Sequence, residues 1–340
     1  MAGARLSLTR DQVLRHRQRA GQLDARRPLT PESLRHAAWA GLPDSMPRAA
    51  LLSLHARVGG IEPTSWEHPS LVQVWGPRFS DYVISADDIA PFTLGRMPDD
   101  AAGLRRAETA ADRLEAHLDG RRMGYGQAGH GIGVHPNSLR YGATTGRILI
   151  RWEGARQPIV WTIPAPAMPV SEARADLLRR YLHVLGPGSI AGFARWAGIR
   201  PGGAKRTFET MAGELVEVDT TVGERWIRAD DESSVRAGSN DRASGIRFLP
   251  SGDTYVLLWG ADRELVVPDA AGRAAVWTSR VWPGTVLVDG KIAGTWRRAD
   301  TDLAVEPLRP LTATERAAIE AEATSLPLGL SRPIRVRWSG

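Results

Sequence analysis

The chain has 340 residues, of which 42% are hydrophobic and 24% are charged, and this composition is ordinary for a globular protein with two or three domains. It has no cysteine, which excludes disulfides, thiol chemistry and sulfur-ligated zinc. The formal net charge is +6, and nearly all positive side chains are arginine, because Lys205 and Lys291 are the only lysines. A GC-rich genome would also favour arginine, but the basic balance favours an anionic partner such as nucleic acid.

The first ten residues lack an apolar run, and no stretch approaches the roughly 18 apolar residues that a membrane span needs. We therefore expect a cytoplasmic protein with no signal peptide and no membrane partner.

The first segment, residues 5–98, is predicted to begin with a helix that Thr9 caps. A second helix follows Thr30, because a capping residue there precedes Pro31 at the first helical position. A third helix is predicted over residues 48–55 and a short strand over residues 81–84.

The second segment, residues 99–165, is predicted to hold an amphipathic helix over residues 102–118. Residues 124–133 are rich in glycine and are predicted to be irregular. They lack the Gly-Lys-Ser/Thr ending of a phosphate-binding loop, so we expect no nucleotide cofactor. His130 and His135 lack the spacing of a metal site, and no metal is expected. A hairpin is predicted from strands at 147–152 and 158–163, joined by a turn over 153–157.

The third segment, residues 170–232, begins with a predicted helix over residues 171–185. Ser189 is expected to cap a short helix, Gly198 to form a tight turn, and Pro201 to begin a second short helix. Strands are predicted over residues 214–218 and 224–228. This order of helix, turn, helix and hairpin is typical of a winged helix, which lays its second helix in the DNA major groove.

The last segment, residues 243–340, is predicted to be rich in strands. We expect a strand over residues 254–259, a hairpin whose turn is Asp289-Gly290, a helix over residues 312–325 and a final strand over residues 334–338. The predicted fold class is therefore α+β, with tandem winged-helix units followed by a C-terminal domain resembling a β-barrel.

Five stretches resemble the winged-helix DNA glycosylase family of the AlkZ and YcaQ type. In the family's order they are residues 40–50 (AGLPDSMPRAA), 71–78 (LVQVWGPR), 193–198 (FARWAG), Leu249-Pro250 with Asp253, and 288–297 (VDGKIAGTWR). The resemblance covers about residues 5–325 and implies three winged-helix units and a C-terminal barrel curved around duplex DNA. It also implies excision of bulky N7-alkylated purines, for which relatives use a Gln-x-Gln or Gln-x-Asp pair to position the attacking water.

This chain departs from its relatives at that pair, because Pro43 and Ser45 occupy the two positions. Proline has no polar side-chain atom, and serine is no general base at neutral pH. Asp44 lies between them, and its simplest role is to cap the helix that follows. If the protein is an enzyme, Asp44 and Ser45 are the candidate catalytic residues of a monofunctional DNA glycosylase.

Basic side chains near the winged helices are expected to contact DNA phosphates. Those of the third segment are expected to have few acidic partners nearby. Tyr82 is expected either beside DNA or in the core. The candidate DNA-binding residues are Arg48, Arg57, Arg78, Arg179, Arg180, Arg200, Lys205, Arg206, Arg225 and Arg228.

The sequence thus predicts a monomer that binds double-stranded DNA and takes part in DNA repair or genotoxin resistance, without a cofactor and with doubtful catalysis. The alternatives left open are an active glycosylase for bulky N7-alkylated purines or crosslinks, and a transcriptional regulator.

Overall fold

The computed structural model describes residues 5–46, 48–153, 156–237 and 245–339. Helices and strands are mixed along the whole chain, and the strands form three sheets. Gly154 and Ala155 of the predicted hairpin turn lie outside the described residues, as does Ala243, where the last segment was predicted to begin.

The N-terminal elements begin where the capping residues predict. The Thr9 side chain accepts the backbone N–H of Gln12, and the Thr30 side chain accepts that of Ser33. The elements of this part of the chain are β1 (Leu6–Ser7), α1 (Arg10–Ala20), α2 (Pro31–Ala37), β2 (Leu42–Pro43), α3 (Ala49–Arg57), β3 (Leu71–Trp75), β4 (Asp81–Ser85) and α4 (Ile89–Phe92).

A six-stranded sheet joins the first predicted segment to the second. Its strand order is β2-β4-β3-β6-β7-β5, and Gln73 of β3 lies opposite Ile150 of β6. The predicted hairpin of the second segment is confirmed as the pair β6 and β7. The elements of this part are α5 (Ala101–Leu118), β5 (Met123–Gly124), α6 (Tyr125–Gly131), α7 (Leu139–Gly142), β6 (Ile148–Arg151) and β7 (Ile159–Thr162).

Helix α6 corrects the prediction that residues 124–133 are irregular. Its glycines permit close packing, because a Cβ at Gly129 would lie only 2.7 Å from the Cα of Pro136. Tertiary contact therefore overrides the weak helical preference of glycine here.

The third segment has the predicted order of elements. Gly198 has a φ of 72° and ends the first short helix, and Pro201 begins the second. The sequence did not predict that β1 pairs parallel with β8, the first strand of the hairpin that follows these helices. This pairing adds the N-terminal strand to the hairpin. The elements are α8 (Val170–Leu185), α9 (Ile190–Ala197), α10 (Pro201–Thr210), β8 (Leu215–Thr220), β9 (Gly223–Arg228) and α11 (Glu232–Arg236).

The C-terminal strands form an open five-stranded sheet of order β10-β11-β12-β13-β14. The turn at Asp289 and Gly290 has positive φ at both residues, as its sequence predicts. The elements are β10 (Ile246–Leu249), α12 (Asp262–Val266), α13 (Ala270–Val276), β11 (Gly284–Val288), β12 (Lys291–Ala299), β13 (Asp302–Pro307), α14 (Ala313–Thr324) and β14 (Arg335–Trp338).

Two expectations for this domain were wrong. In the described residues the sheet does not close into a barrel, because α14 returns the chain so that β14 pairs parallel with β13 rather than with β10. The predicted strand over residues 254–259 is instead a 3-10 turn, Thr254–Val256, whose start is capped by the Asp253 side chain. None of the described helices is long and apolar enough to cross a membrane.

Candidate functional site

A cavity of about 150 Å³ is lined by Pro43 and Ser45, the residues at the two positions that the resemblance assigns to a water-positioning pair. Strands β2 and β4 form one wall, since Pro43 pairs with Tyr82, and Ser251 and Gly252 of the loop after Leu249 also line the cavity. The lining residues are Pro43, Ser45, Met46, Pro77, Arg78, Ser80, Tyr82, Ser251, Gly252, Leu257 and Trp259.

Asp44 does not face this cavity, although both of its neighbours line it. Its side chain is 1% exposed, and both carboxylate oxygens bond within the protein. Oδ1 accepts the backbone N–H of Ala50 over 3.0 Å, and Oδ2 accepts Nε2 of Gln73 over 2.8 Å. The Asp44 carboxylate is buried and is not part of the cavity lining, and this position argues against the expected contact with a substrate.

The expected capping role of Asp44 is confirmed in a modified form. The N-cap position of α3 belongs to Arg48, which has a φ of 64° and makes no side-chain cap. Asp44 instead reaches the N–H of Ala50 from four residues before Arg48 and satisfies one of the free donors of the helix. Burial raises the pKa of Asp44 to about 6, while the hydrogen bonds from Ala50 and Gln73 oppose this rise.

The polar groups of the cavity can donate hydrogen bonds but offer no general base. They are the hydroxyls of Ser45, Ser80, Ser251 and Tyr82 and the guanidinium of Arg78, and burial raises the pKa of Tyr82, which keeps its hydroxyl protonated. The described lining contains no carboxylate, imidazole or carboxamide side chain, and these are the groups that usually hold or deprotonate a water. Nowhere in the described ranges do three His, Asp or Glu side chains group as metal ligands.

Arg78 and Trp259 form the cationic and aromatic edge of the cavity. The guanidinium carbon of Arg78 lies 5.3 Å from the centroid of the Trp259 ring, which is partly exposed. Arg78 and Phe79 both have a φ of 58°, an unusual conformation that is held by the packing around the loop. Tyr82 is 3% exposed, so it belongs to the core rather than to an exposed surface.

The sequence did not point to Ser80, Ser251 or Trp259 as site residues. The sequence places Trp259 at the end of a predicted strand. The only local signal of a different conformation is the next residue, Gly260, which has a positive φ in the structure.

Two of the predicted DNA-contacting arginines are buried, which corrects their assignment. Arg57 is 1% exposed and donates to both carboxylate oxygens of Asp253 over 2.8 Å. Arg180 is 3% exposed and donates to both oxygens of Asp88 over 2.9 Å. Neither can reach a phosphate without breaking a buried ion pair, so both act within the protein.

The basic side chains of the third segment were expected to have few acidic partners, and this expectation was wrong. Each of the other predicted cations there lies within ion-pair distance of a carboxylate. The pairs are Arg179 with Glu214, Arg200 with Asp100, Lys205 with Glu209, Arg206 with Asp99, Arg225 with Asp262, and Arg228 with Asp230. In the described residues, only Arg48 and Arg78 of the predicted set have no carboxylate partner. The guanidinium carbon of Arg48 lies 3.9 Å from the ring centroid of Trp66.

The sequence and the fold were compared with those of known proteins. A family model described as "DNA glycosylase AlkZ-like" matches residues 35–327, a range that includes the whole cavity. The "Interstrand DNA cross-link repair glycosylase" of Streptomyces sahachiroi is 30% identical over 196 residues, which are 52% of this chain and 51% of that protein. The chain thus spans about half the length of this curated relative.

The solved structure of Streptomyces sahachiroi DNA glycosylase AlkZ is similar in fold. It aligns with a TM-score of 0.77 over 98% of this chain and 100% of that chain, at 19% sequence identity. Since the family model covers most of the sequence, the chain belongs to the AlkZ-like DNA glycosylase family.

Proposed function

We propose that this protein binds duplex DNA in DNA repair or genotoxin resistance and does not itself hydrolyse the glycosidic bond. The observation that carries the proposal is the cavity lining, where Pro43 and Ser45 occupy the positions that the resemblance assigns to the water-positioning pair and the described lining contains no carboxylate, imidazole or carboxamide. The protein would then recognise a lesion by contact alone.

The arrangement of helices and hairpins supports DNA as the partner. We infer that residues 5–98, 99–165 and 170–232 act as three winged-helix units, followed by the strand-rich unit 243–340. The third unit supports this best, because α10 follows the tight turn at Gly198 and the β8–β9 hairpin follows α10 in the position of a wing.

The size of the cavity limits what it can bind. About 150 Å³ is below the roughly 300–1,000 Å³ typical of sites that enclose a drug-sized ligand. It can therefore take a small group that projects from the duplex, such as part of an alkylated base, against Trp259 and Arg78.

A second candidate function is excision of bulky N7-alkylated purines or of crosslinks, the activity that the name of the curated relative describes. The Ser45 hydroxyl favours it, because it is an exposed polar group at the edge of the cavity and could hold a water. Asp44 could assist only indirectly, by fixing the loop that carries Ser45.

One assay separates the two functions. The protein is incubated with duplex DNA carrying a bulky N7-alkylguanine, and abasic sites are quantified beside a Gln-x-Gln relative as positive control. We expect no release above the rate without protein, together with a retarded complex in gel shifts. Release that is lost in Ser45→Ala would replace the first function with the second, and absence of any complex at low salt would refute DNA binding.

A further inference from the structure

We propose that the phosphodiester backbone of bound DNA lies along an arginine rim formed by Arg78, Arg195 and Arg263 around Trp259, and not along helix α10. This inference rests on the proposed function for the identity of the partner. It moves the main electrostatic contact from the second short helix of the third unit to the edge of the cavity.

The contacts of Arg263 place it beside Trp259. Its Nε donates to the carbonyl of Leu258 over 2.9 Å, and Trp259 is the next residue. Its guanidinium carbon lies 5.0 Å from the ring centroid of Trp277 and 5.5 Å from that of Trp282. Stacking and one backbone acceptor leave the remaining donors of the guanidinium for an external acceptor.

Helix α9 brings Arg195 to the same edge. Arg195 is exposed, and its charge lowers the pKa of Arg263, after the larger effect of burial. The end of α9 meets the loop of Arg78, since a Cβ at Gly198 would lie 2.9 Å from the backbone nitrogen of Arg78. Arg195 thus lies near Arg263, on a helix whose end contacts the loop of Arg78.

The nearby carboxylates are directed to other partners. Asp262 pairs with Arg225 over 2.7 Å, and Glu264 faces Arg273 at 3.9 Å. Across the described ranges no carboxylate lies within 4.0 Å of the charged nitrogens of the rim, whereas Lys205 and Arg206 of α10 each have one. Neighbouring like charges without carboxylates repel each other in the free protein, and a bound anion would relieve this repulsion.

A row of phosphates complements this arrangement. Arginine is suited to phosphate because its planar guanidinium can donate two parallel hydrogen bonds to it. The rim is continuous with the cavity through Arg78, so a strand held by Arg195 and Arg263 would place its bases near Trp259. These features fit a nucleic-acid strand better than an isolated small anion.

The test compares two double variants, each of which removes two positive charges. The rim variant is Arg195→Gln with Arg263→Gln, and the matched control is Lys205→Gln with Arg206→Gln. Affinity for an undamaged duplex is measured at four or more salt concentrations. Each lost phosphate contact lowers the salt slope by about 0.9, so we expect the rim variant to lose about two and the control less than about half a unit.

If loss of Arg263 destabilises the fold, the single variant Arg195→Gln still tests the inference, because Arg195 is exposed and makes no described hydrogen bond. We expect it to lower the slope by about one. A rim variant that keeps the slope, or a control that loses as much, would overturn the inference while DNA binding stands. A wild-type protein that binds no duplex would instead refute the proposed function.

Discussion

Gln73 connects the buried carboxylate of Asp44 to the hairpin of the second segment. Its Nε2 donates to Oδ2 of Asp44 over 2.8 Å, and its Oε1 accepts the backbone N–H of Trp152 over 2.7 Å. The loop that carries Ser45 is therefore fixed from behind by a buried polar network. Such networks stabilise a unique geometry when every member is satisfied.

Removing the Asp44 side chain should destabilise the fold and not act through the chemistry of the cavity. In Asp44→Ala, the N–H of Ala50 and the amide of Gln73 lose their acceptor, and leaving buried donors unsatisfied costs about 1–3 kcal/mol each. Urea unfolding measures the loss. The matched control Ser45→Ala, at an exposed position, should change stability by less than about 0.5 kcal/mol. Equal stability of the two variants would contradict the network role.

The effect of Asp44 should depend on pH. Its folded pKa of about 6 lies above the ordinary value of 3.8, so its protonated form is favoured in the folded state. The stability that it contributes is complete below pH 4 and is lost as pH rises through 6. We therefore expect the cost of Asp44→Asn to be smaller at pH 7.5 than at pH 5, in paired unfolding curves. A cost that grows with pH would show that the carboxylate is stabilised as the anion.

Placing two glutamines in the cavity should create or raise excision activity if the pocket otherwise keeps the family geometry. The variant is Pro43→Gln with Ser45→Gln, which restores polar side chains that can orient a water. We expect abasic sites on duplex DNA with a bulky N7-alkylguanine at a rate at least about tenfold above wild type. Single variants serve as controls, and continued inactivity of a folded, DNA-binding double variant would mean that the cavity differs beyond these two positions.

The Arg57–Asp253 pair should dominate the coupling between α3 and the C-terminal domain. Both side chains are at most 1% exposed, and removing one partner of a buried ion pair costs about 3–5 kcal/mol. Arg57→Met should show this loss in chemical unfolding, and adding Asp253→Leu should recover part of it. Arg332→Met breaks an exposed pair with Asp300 and should cost at most about 1 kcal/mol. Comparable costs for the two arginines would refute the assignment.

His16 should make the fold sensitive to acid. It is 1% exposed, its Nε2 lies 3.0 Å from the carbonyl of His183, and burial lowers its pKa to about 4 from 6.5. Because the folded pKa is depressed, the unfolded chain binds the proton first, and stability is lost as pH falls from 6.5 towards 4. About 2 kcal/mol should be lost by pH 5.

The neighbours of His16 supply the control for this effect. Asp231 and His183 form a hydrogen bond of 2.8 Å beside it, so other groups also titrate there. His16→Gln removes the titrating imidazole and leaves Asp231 and His183 in place, so the difference in unfolding midpoint between pH 7 and pH 5 should be smaller than in wild type. An unchanged difference would mean that His16 is protonated without cost in the folded protein.

Local signals in the sequence located most elements correctly. Thr9, Thr30 and Ser189 cap helices because their side-chain oxygens accept the N–H three residues on, and that geometry depends on adjacent residues alone. The prediction of a strand over residues 254–259 was wrong because the Asp253 side chain, which Arg57 holds in place, caps a 3-10 turn there. A contact across 196 positions leaves no local trace.

The site was predicted less well than the fold, for a physical reason of the same kind. The prediction that the arginines lack acidic partners considered only residues close in sequence. In the structure Arg180 pairs with Asp88, 92 positions away, and Arg225 pairs with Asp262, 37 positions away. The sequence alone shows that Pro43 and Ser45 stand where the resemblance implies a glutamine pair, and both residues line the cavity. Arg195 and Arg263 could not be found, because only the folded chain places them together.

Helix α1 also has a consequence for how the chain can be made. Its buried side chains donate to carbonyls supplied much later in the sequence, Arg17 to Leu185 and Tyr255, and Gln18 to Gly290. During synthesis these donors have no acceptor until residues between about 170 and 270 positions later in the chain have left the ribosome. Truncated nascent chains should therefore remain sensitive to protease in their first helix until Gly290 has emerged, even where the six-stranded sheet has already formed.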